Sequence, residues 1–212
     1  MLGCSGSYPG PGRACSGYLI RSATTTVVVD MGPGTVANLQ AHVDPATVDA
    51  VVLSHEHPDH WVDLTSLRVL LRYGLGRSGL AVYGTAGTRA MVEHVCGTVA
   101  PTFEWTTLSD GDRYAIGDLS LRFAATDHYV PTLAVRVTSG GCTLAYSADT
   151  GPDWSFEHLG DDIDLALCEA TTLADGEGDG VLHLSARQAG AMARAGGVAR
   201  LVLTHLLPTV DA

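Results

Sequence analysis

The sequence predicts an α/β fold, because segments typical of strands alternate with segments typical of helices along the chain. A β-branched run at residues 24–30 (TTTVVVD) and an apolar run at 49–54 (DAVVLS) have the length and composition of buried strands. Leucines in residues 61–73 recur at the spacing of a helix face. A short strand at 80–83 and a helix at 86–95 continue the alternation.

The second half of the chain has a different pattern, which predicts an antiparallel meander. Residues 113–146 contain the runs LSLRFAA, TLAVRV and CTLAYS, separated by the turn sequences GD and SGG. Buried strands are then predicted at 164–168 and 199–203, with a helix at 185–195 between them. A Ser-x-x-Gln capping-box pattern begins at Ser185, and a Gly-Gly pair ends this helix.

Length and composition predict a single domain spanning residues 1–212, because 46% of the residues are hydrophobic and can supply a large core. The chain has no apolar run long enough to cross a membrane, so we expect no membrane partner. The number of cysteines is odd, and no two of them have C-x-x-C spacing. This pattern favours reduced thiols and a cytoplasmic location. These cysteines are Cys4, Cys15, Cys96, Cys142 and Cys168.

The formal net charge of −11 argues against extensive nucleic-acid binding, because an acidic protein repels polyanions at long range. All 12 basic residues are arginines, and the sequence shows no local basic patch. The acidic, glycine-rich segment 174–180 predicts a flexible loop whose carboxylates are solvated.

The segment HEHPDH at residues 55–60 places three imidazoles and a carboxylate on one loop between a predicted strand and a predicted helix. Pro58 fixes its own φ and biases His57 toward extended backbone, so alternate side chains can face a common centre. Imidazole and carboxylate suit zinc, manganese or iron. Four such ligands exceed what one metal with an open position needs, so we predict two metals. Glu56 faces away from its neighbours and is not assigned as a ligand.

Further ligands must come from elsewhere in the fold. Three other positions have a metal-capable side chain at or just after the end of a predicted strand, where loops supply sites on a rigid scaffold. These positions are Asp127-His128, Asp149 within SADTG, and His205.

These motifs resemble those of the metallo-β-lactamase-fold hydrolases, and within them the branch of ribonuclease Z and related cyclic-nucleotide phosphodiesterases. The resemblance covers essentially the whole chain, in the order LGCSGS, VVVDMGPG, LSHEHPDH, ATDHYVPTLAVRV, LAYSADTGP, LALCEAT, LHLSARQAG and LVLTHLLP. It implies a four-layer αββα sandwich with two divalent metal ions, zinc or manganese, with iron as a third option.

The resemblance also implies a role for each candidate residue. Seven of them would be metal ligands: His55, His57 and His128 on one metal, Asp59, His60 and His205 on the other, and Asp149 bridging the two. Asp30 would lie behind these ligands and orient the site.

Three residues are expected to take part in catalysis. Asp59 would do so as a metal ligand, and His183 would be the general acid, oriented by Glu169. Two structural alternatives remain for the pair, since His183 could cap the following helix and Glu169 could be a surface carboxylate. The chain departs from the family pattern at Cys168, where a histidine is usual, and at Ala148, where glycine is usual.

The expected reaction is hydrolysis of a phosphodiester by a hydroxide activated between two metals. The β-lactam-hydrolysing branch usually lacks the bridging aspartate, and the motifs around Asp149 differ from those of glyoxalase II-type thioesterases. Only twenty residues separate His128 from Asp149, which leaves no room for the tRNA-gripping arm common in ribonuclease Z. We therefore expect a small cyclic nucleotide such as cyclic AMP as substrate.

Two alternatives stay open: a ribonuclease Z-like enzyme that processes tRNA 3′ ends, with RNA as substrate, and a metal-binding scaffold of this fold that has lost catalysis. The resemblance also suggests a homodimer. We expect a chain shortened at both ends, because it begins inside the first strand of the family pattern and stops soon after His205.

Overall fold

The computed structural model describes residues 1–210, and the chain divides into two compact units. The first unit spans Met1–Leu108, and the second begins at Ser109. Each unit contains one mixed β-sheet with helices. The prediction of a single domain stays a prediction.

The first unit contains a five-stranded sheet in the order β1-β2-β3-β4-β5. β1 and β2 are antiparallel, and the other neighbours are parallel. The strands are β1 Tyr18–Arg21, β2 Thr26–Val29, β3 Ala50–Leu53, β4 Leu80–Gly84 and β5 Phe103–Thr107. The helices are α1 Thr35–Gln40, α2 Pro58–Trp61, α3 Leu64–Val69 and α4 Ala86–Cys96, with a 3₁₀ turn at Pro45–Thr47 and a π-helical turn at Leu70–Gly74.

Four predicted elements are present in this unit. They are the strands at 24–30, 49–54 and 80–83, now β2, β3 and β4, and the helix at 86–95, now α4. β1 and β5 were not predicted. The first strand of the structure lies at Tyr18–Arg21. The expectation that the chain is shortened at both ends stays a prediction.

The helical spacing at 61–73 does not form one helix. It is divided among α2, α3 and the π-helical turn. The interruption lies at Asp63, whose N–H donates to the Met31 carbonyl at 2.9 Å, while its Oδ2 accepts from the Val36 N–H at 2.8 Å. Contacts outside the helix therefore replace the next helical hydrogen bond.

β3 is buried at every position, and the core of the first unit forms around it. Val28, Val51 and Val82 from three neighbouring strands pack with Leu64 and Leu67 from α3. Burying a valine or leucine side chain contributes about 1.5–3 kcal/mol, so this core fixes the strand end from which the HEHPDH loop starts.

The second unit contains a six-stranded sheet in the order β11-β10-β9-β8-β7-β6. β6 to β9 form the predicted antiparallel meander, while β9, β10 and β11 are parallel neighbours. The strands are β6 Arg113–Ile116, β7 Leu119–Ala125, β8 Leu133–Ser139, β9 Cys142–Tyr146, β10 Leu165–Glu169 and β11 Leu201–Thr204. The helix is α5 Ala186–Ala195, with 3₁₀ turns at Phe156–Leu159 and Ala174–Gly176.

α5 begins at the predicted capping box. The Ser185 hydroxyl accepts from the Gln188 N–H at 3.2 Å, and the Gln188 side chain accepts from the Ser185 N–H at 2.9 Å. Ala189 and Met192 of this helix pack on a sheet face of small residues that includes Ala166. Small side chains on that face let the helix approach the sheet closely.

The acidic loop differs from the prediction at one residue. The Glu177 carboxylate accepts hydrogen bonds from Ser185 and Arg187, and these bonds lower its pKa. It therefore joins the loop to the start of α5 instead of being only solvated. Among residues 1–210, no helix has both the length and the apolar character needed to cross a membrane.

Candidate metal centre

The HEHPDH loop leaves the end of β3 and enters α2 within a few residues. His57 has extended backbone, with φ −68° and ψ 136°, and Pro58 is the first residue of α2. This is the conformation that a proline imposes on its predecessor. The Trp61 indole N–H donates to the Glu56 carbonyl at 2.8 Å and closes the loop against the helix.

The loop side chains form two pairs of potential ligands within the first unit. His55 Nε2 lies 3.1 Å from His57 Nδ1, and His60 Nε2 lies 3.5 Å from Asp59 Oδ2. Two ligand atoms that each lie about 2.0–2.2 Å from one cation are roughly 3–3.5 Å apart, so both pairs have the spacing of ligands that share a metal. His55 and His60 are fully buried.

Asp30 and Ser54 lie behind these imidazoles. Asp30 Oδ1 accepts from the Ser54 N–H at 2.8 Å, and its Oδ2 accepts from the Ser54 hydroxyl at 2.9 Å and lies 2.7 Å from His60 Nδ1. A carboxylate that engages Nδ1 fixes the orientation of the ring and directs Nε2 away from it. Asp30 therefore orients His60 toward Asp59, the position that the resemblance implied.

Asp59 is held by a second contact from the N-terminal loop. The Ser7 N–H donates to Asp59 Oδ2 at 2.7 Å, and Ser7 has a φ of 62°. The motif LGCSGS thus contributes a backbone donor to the loop, which fixes the carboxylate without adding another ligand.

In the second unit, three candidates follow strand ends: His128 after β7, Asp149 after β9 and His205 after β11. Asp149 Oδ1 lies 3.4 Å from His205 Nε2, and Asp149 Oδ2 lies 3.8 Å from His128 Nε2. Each oxygen of the carboxylate thus faces a different imidazole, as a bridging ligand would.

The other nitrogens of these two histidines are already engaged. His128 Nδ1 lies 3.1 Å from the Leu182 carbonyl, and His205 Nδ1 lies 2.6 Å from the Thr171 hydroxyl. These contacts leave Nε2 of both rings directed at Asp149. In metal-binding histidines, the ring nitrogen that does not bind the metal typically makes a hydrogen bond of this kind.

Two residues at these strand ends have left-handed backbone. Ala148 has a φ of 52° and His205 has a φ of 55°. Residues other than glycine adopt this conformation at a cost of about 1–3 kcal/mol, and they cluster at functional sites. The family pattern usually has glycine at position 148 because glycine adopts left-handed backbone without this cost. Ala148 keeps the left-handed conformation although it carries a methyl group.

Glu169 and His183 are in contact, so the alternative of a surface carboxylate is wrong. Glu169 is fully buried, and its Oε1 lies 2.9 Å from His183 Nδ1 and accepts from the Thr150 N–H at 2.8 Å. Its Oε2 accepts from the Thr171 hydroxyl at 2.8 Å and from the Leu184 N–H at 3.2 Å. Ser185 caps α5, so His183 does not.

His183 also lies close to the metal-capable side chains of the second unit. Asp149, His183 and His205 each offer a ligand atom within 4.8 Å of the others, and the His183 and His205 rings stack with centroids 5.8 Å apart. The structure thus brings together, within each unit, the residues predicted there. Thr171 and Ser54 were not predicted, because a hydroxyl that supports a ligand has no sequence pattern of its own.

The fold and these clusters define a known class of protein. The chain belongs to the β-lactamase superfamily, whose domain model matches residues 25–206. It is similar to the crystal structure of the metallo-β-lactamase-fold protein YhfI from Bacillus subtilis, with a TM-score of 0.90 and 30% identity over 99% of this chain and 86% of that chain. The predicted α/β class and metallo-β-lactamase fold are therefore confirmed.

Two relatives add to this comparison. The protein Rv1339 of Mycobacterium tuberculosis is 36% identical over 98% of this chain and 80% of its own length. A ribonuclease Z of Mycobacterium bovis is 27% identical over 99% of this chain and 86% of its own length. The Bacillus subtilis relative YhfI is named a probable metallo-hydrolase. The resemblance to the metallo-hydrolase branch is thus confirmed.

Proposed function

We propose that the protein is a metal-dependent phosphodiesterase that hydrolyses a small cyclic nucleotide such as cyclic AMP at a dinuclear centre. The observation that carries the proposal is the Asp149 carboxylate, whose two oxygens face His205 and His128. The proposed ligands are His55, His57, Asp59, His60, His128, Asp149 and His205.

The donor set fits divalent metals. It consists of imidazoles and carboxylates with no thiolate, which suits zinc or manganese and also accepts iron. Held by these residues, two divalent cations would supply Lewis-acid chemistry: they would activate water at neutral pH and stabilise the negative charge that develops on the phosphoryl and leaving oxygens. His60 is kept in position for this role by Asp30, at 2.7 Å.

The leaving alkoxide needs a proton, and we propose that His183 supplies it. Glu169 engages Nδ1 of His183, so the proton to be transferred is the one that the imidazolium form carries on Nε2, and the transfer leaves a neutral imidazole. The side chain of His183 is 20% exposed whereas that of Glu169 is fully buried, so the histidine is the member of the pair that substrate can reach. General acid catalysis of this kind contributes about 10²–10⁴-fold to the rate.

The phosphodiester class is supported by the kinship with ribonuclease Z. A small substrate is favoured over tRNA because twenty residues lie between His128 and Asp149, too few for a substrate-gripping arm. The net charge of −11 also disfavours a polyanion. tRNA 3′ processing is the second candidate function, because a named relative is a ribonuclease Z.

A scaffold without catalysis is less well supported, because all seven ligand positions carry a metal-capable side chain. We also propose a cytoplasmic location, since the five cysteines are free thiols. A single functional domain and a homodimer are further proposals that follow from the family.

The test is hydrolysis of 3′,5′-cyclic AMP by zinc- or manganese-loaded protein, beside a precursor tRNA with an unprocessed 3′ end. We expect cyclic AMP turnover that falls at least about a hundredfold in Asp149→Ala and His57→Ala, because the lost charge stabilisation amounts to several kcal/mol. The exposed residues Asp153 and His42 give matched controls, Asp153→Ala and His42→Ala. Cleavage of RNA alone would favour the second candidate, and no hydrolysis of either would favour the scaffold.

A further inference from the structure

The second unit contains a cavity of about 660 Å³ on one face of the strands β6, β7 and β8. Three arginines line it, one from each strand: Arg113, Arg122 and Arg136. They form a row across the sheet, because Arg113 pairs in register with Arg122, and Arg122 pairs with Arg136. A quarter of the 12 basic residues of an acidic chain is thus concentrated in one place.

A row of like charges is unfavourable on its own. Like charges that lie directly opposite each other on neighbouring strands destabilise a sheet. Within residues 1–210, none of the three arginines forms an ion pair with a carboxylate, in contrast to Arg89 and Arg187. Within the described chain, the row therefore has no carboxylate paired with it at contact distance, although Asp161 and Asp162 belong to the same cavity lining.

The guanidinium groups of Arg122 and Arg136 converge. Nη1 of Arg122 lies 3.4 Å from the Leu159 carbonyl, and Nη1 of Arg136 lies 3.3 Å from the same oxygen. Gly160 keeps this approach open, because a Cβ there would lie 3.2 Å from Nη1 of Arg122. Arg136 makes further contacts to the Asp161 carbonyl at 2.5 Å and the Thr143 hydroxyl at 3.3 Å, so it is also structural.

Arg122 and Arg113 retain most of their donors. A guanidinium has five N–H donors, and Arg122 uses one of them in a single long contact. Beside the arginine row, Ser120 and Thr138 form the adjacent cross-strand pair on the same face and add two hydroxyls to the lining. The rim residues Asp161 and Asp162 are exposed.

We propose that this cavity binds the phosphate group of a small phosphorylated molecule. Arginine forks match phosphate oxygens in bidentate geometry, and hydroxyls complete such sites. The cavity volume lies in the range of about 300–1,000 Å³ that is typical of small-molecule sites, which is enough for a nucleotide. The proposal does not depend on the metal centre, because none of its residues is a proposed ligand.

The test is calorimetric titration of the metal-loaded protein with inorganic phosphate and with 5′-AMP at low ionic strength. The chloride concentration is the same in every titration. Arg122→Gln and Arg113→Gln should each weaken binding of at least one probe by about tenfold or more. The matched control is Arg194→Gln, which removes the same charge from an exposed position at the end of α5 and should leave binding unchanged. Arg113 is exposed, so its variant should fold even if Arg122→Gln does not.

Two results would overturn the proposal. One is binding that survives unchanged in both arginine variants, and the other is binding that disappears in His57→Ala, which would assign the phosphate to the metal centre. Hydrolysis of cyclic AMP is measured separately on the unsubstituted, metal-loaded protein. Absence of hydrolysis there, with Arg122-dependent binding of phosphate or 5′-AMP, would count against the proposed function only.

Discussion

Glu169 is the residue whose surroundings say most about the chemistry. It is fully buried: its Oε1 faces His183 and accepts from the Thr150 N–H, and its Oε2 accepts from the Thr171 hydroxyl and the Leu184 N–H. A carboxylate held from several sides cannot swing to another partner. It therefore keeps His183 in one orientation, with Nδ1 engaged and Nε2 free to transfer the proton that the imidazolium form carries there.

The role of His183 is testable by separating proton transfer from metal binding. We expect His183→Ala to lower kcat for cyclic AMP by about 10²–10⁴-fold with the metal content unchanged. The loss should be much smaller for bis-p-nitrophenyl phosphate, because its leaving group departs without a proton. Glu169→Gln should show the same dependence on the leaving group, to a lesser extent.

Elemental analysis of the purified His183→Ala variant is the control. Because His183 lies within 4.8 Å of ligand atoms of Asp149 and His205, a metal ligand is the competing assignment. Loss of a cation in the variant, with equal loss of activity on both substrates, would show that His183 binds metal.

The sequence predicts the residues of the site better than it predicts the side chains that hold those residues in position. The resemblance implied that Glu169 contacts His183 and that Asp30 lies behind the ligands, and in the structure Asp30 contacts His60. The Thr171 hydroxyl, which contacts both Glu169 and His205, could not be predicted. Its role depends on β10 and β11 being adjacent, and that adjacency is a property of the sheet.

Among the elements, the start of α4 is linked to the metal-binding loop. Thr85 caps this helix by accepting from the Thr88 N–H at 3.1 Å. A Cβ on Gly87, in the first turn, would overlap the Glu56 carboxylate. Glu56 thus lies against the positive end of α4, where a carboxylate is favoured, and the helix helps to fix the loop between His55 and His57.

We therefore expect Gly87→Ala to gain less stability than the roughly 1 kcal/mol by which alanine favours a helix over glycine. The substitution must displace Glu56. The matched control is Gly190→Ala in α5, where an added Cβ meets no atom within 4 Å and should raise the free energy of unfolding by up to about 1 kcal/mol. Denaturant unfolding of both variants measures the difference.

The double variant Gly87→Ala with Glu56→Ala tests the cause. Removing the Glu56 carboxylate should restore part of the helix-propensity gain that Gly87→Ala lacks relative to Gly190→Ala. Equal stabilisation by Gly87→Ala and Gly190→Ala would show that Glu56 does not restrict the first turn of α4.

Elements with a strong hydrophobic pattern were predictable, and those defined by long-range contacts were not. β3 is buried throughout and was predicted. β1 and β5 lie at the edges of the five-stranded sheet, and both have exposed positions that weaken the pattern. The break between α2 and α3 arises from Asp63, whose hydrogen bonds reach residues 31 and 36.

For the whole molecule, two buried thiols make the free energy of unfolding fall at high pH. Burial, then the nearby Asp59 carboxylate, raises the pKa of Cys15 to about 12. Burial, then the adjacent Glu169 carboxylate, raises the pKa of Cys168 to about 12. In the unfolded chain these thiols ionise near their ordinary pKa of 9.0. Stability is therefore unaffected by these groups below about pH 9 and is lost as the pH rises toward 12.

Each thiol should reduce the free energy of unfolding by about 1.4 kcal/mol per pH unit between these limits, because only the unfolded chain has lost the proton. Cys168→Ser should remove its share of this slope, whatever its effect at neutral pH. Cys142→Ser is the matched control, since Cys142 is exposed. Urea unfolding between roughly pH 8.5 and 10.5 measures how steeply the free energy of unfolding falls with pH in each variant. Equal slopes for Cys168→Ser and Cys142→Ser would contradict the raised pKa of Cys168.

The composition of the whole chain also limits what it can bind. A net charge of −11 disfavours long polyanions, whereas the arginine row on β6, β7 and β8 offers one local exception. That row was not predicted, because its members are far apart in the sequence and adjacent only through strand register. The metal-binding motif, in contrast, is continuous in the sequence and was predictable from it.

A dinuclear centre that hydrolyses a phosphodiester should need two cations for activity. We would titrate metal-free protein with zinc or manganese while cyclic AMP hydrolysis is followed. The rate should rise to its maximum at about two cations per chain and should stay near zero throughout in Asp149→Ala. A maximum at one cation per chain, or full activity in the presence of a chelator, would show that the protein does not use a dinuclear centre.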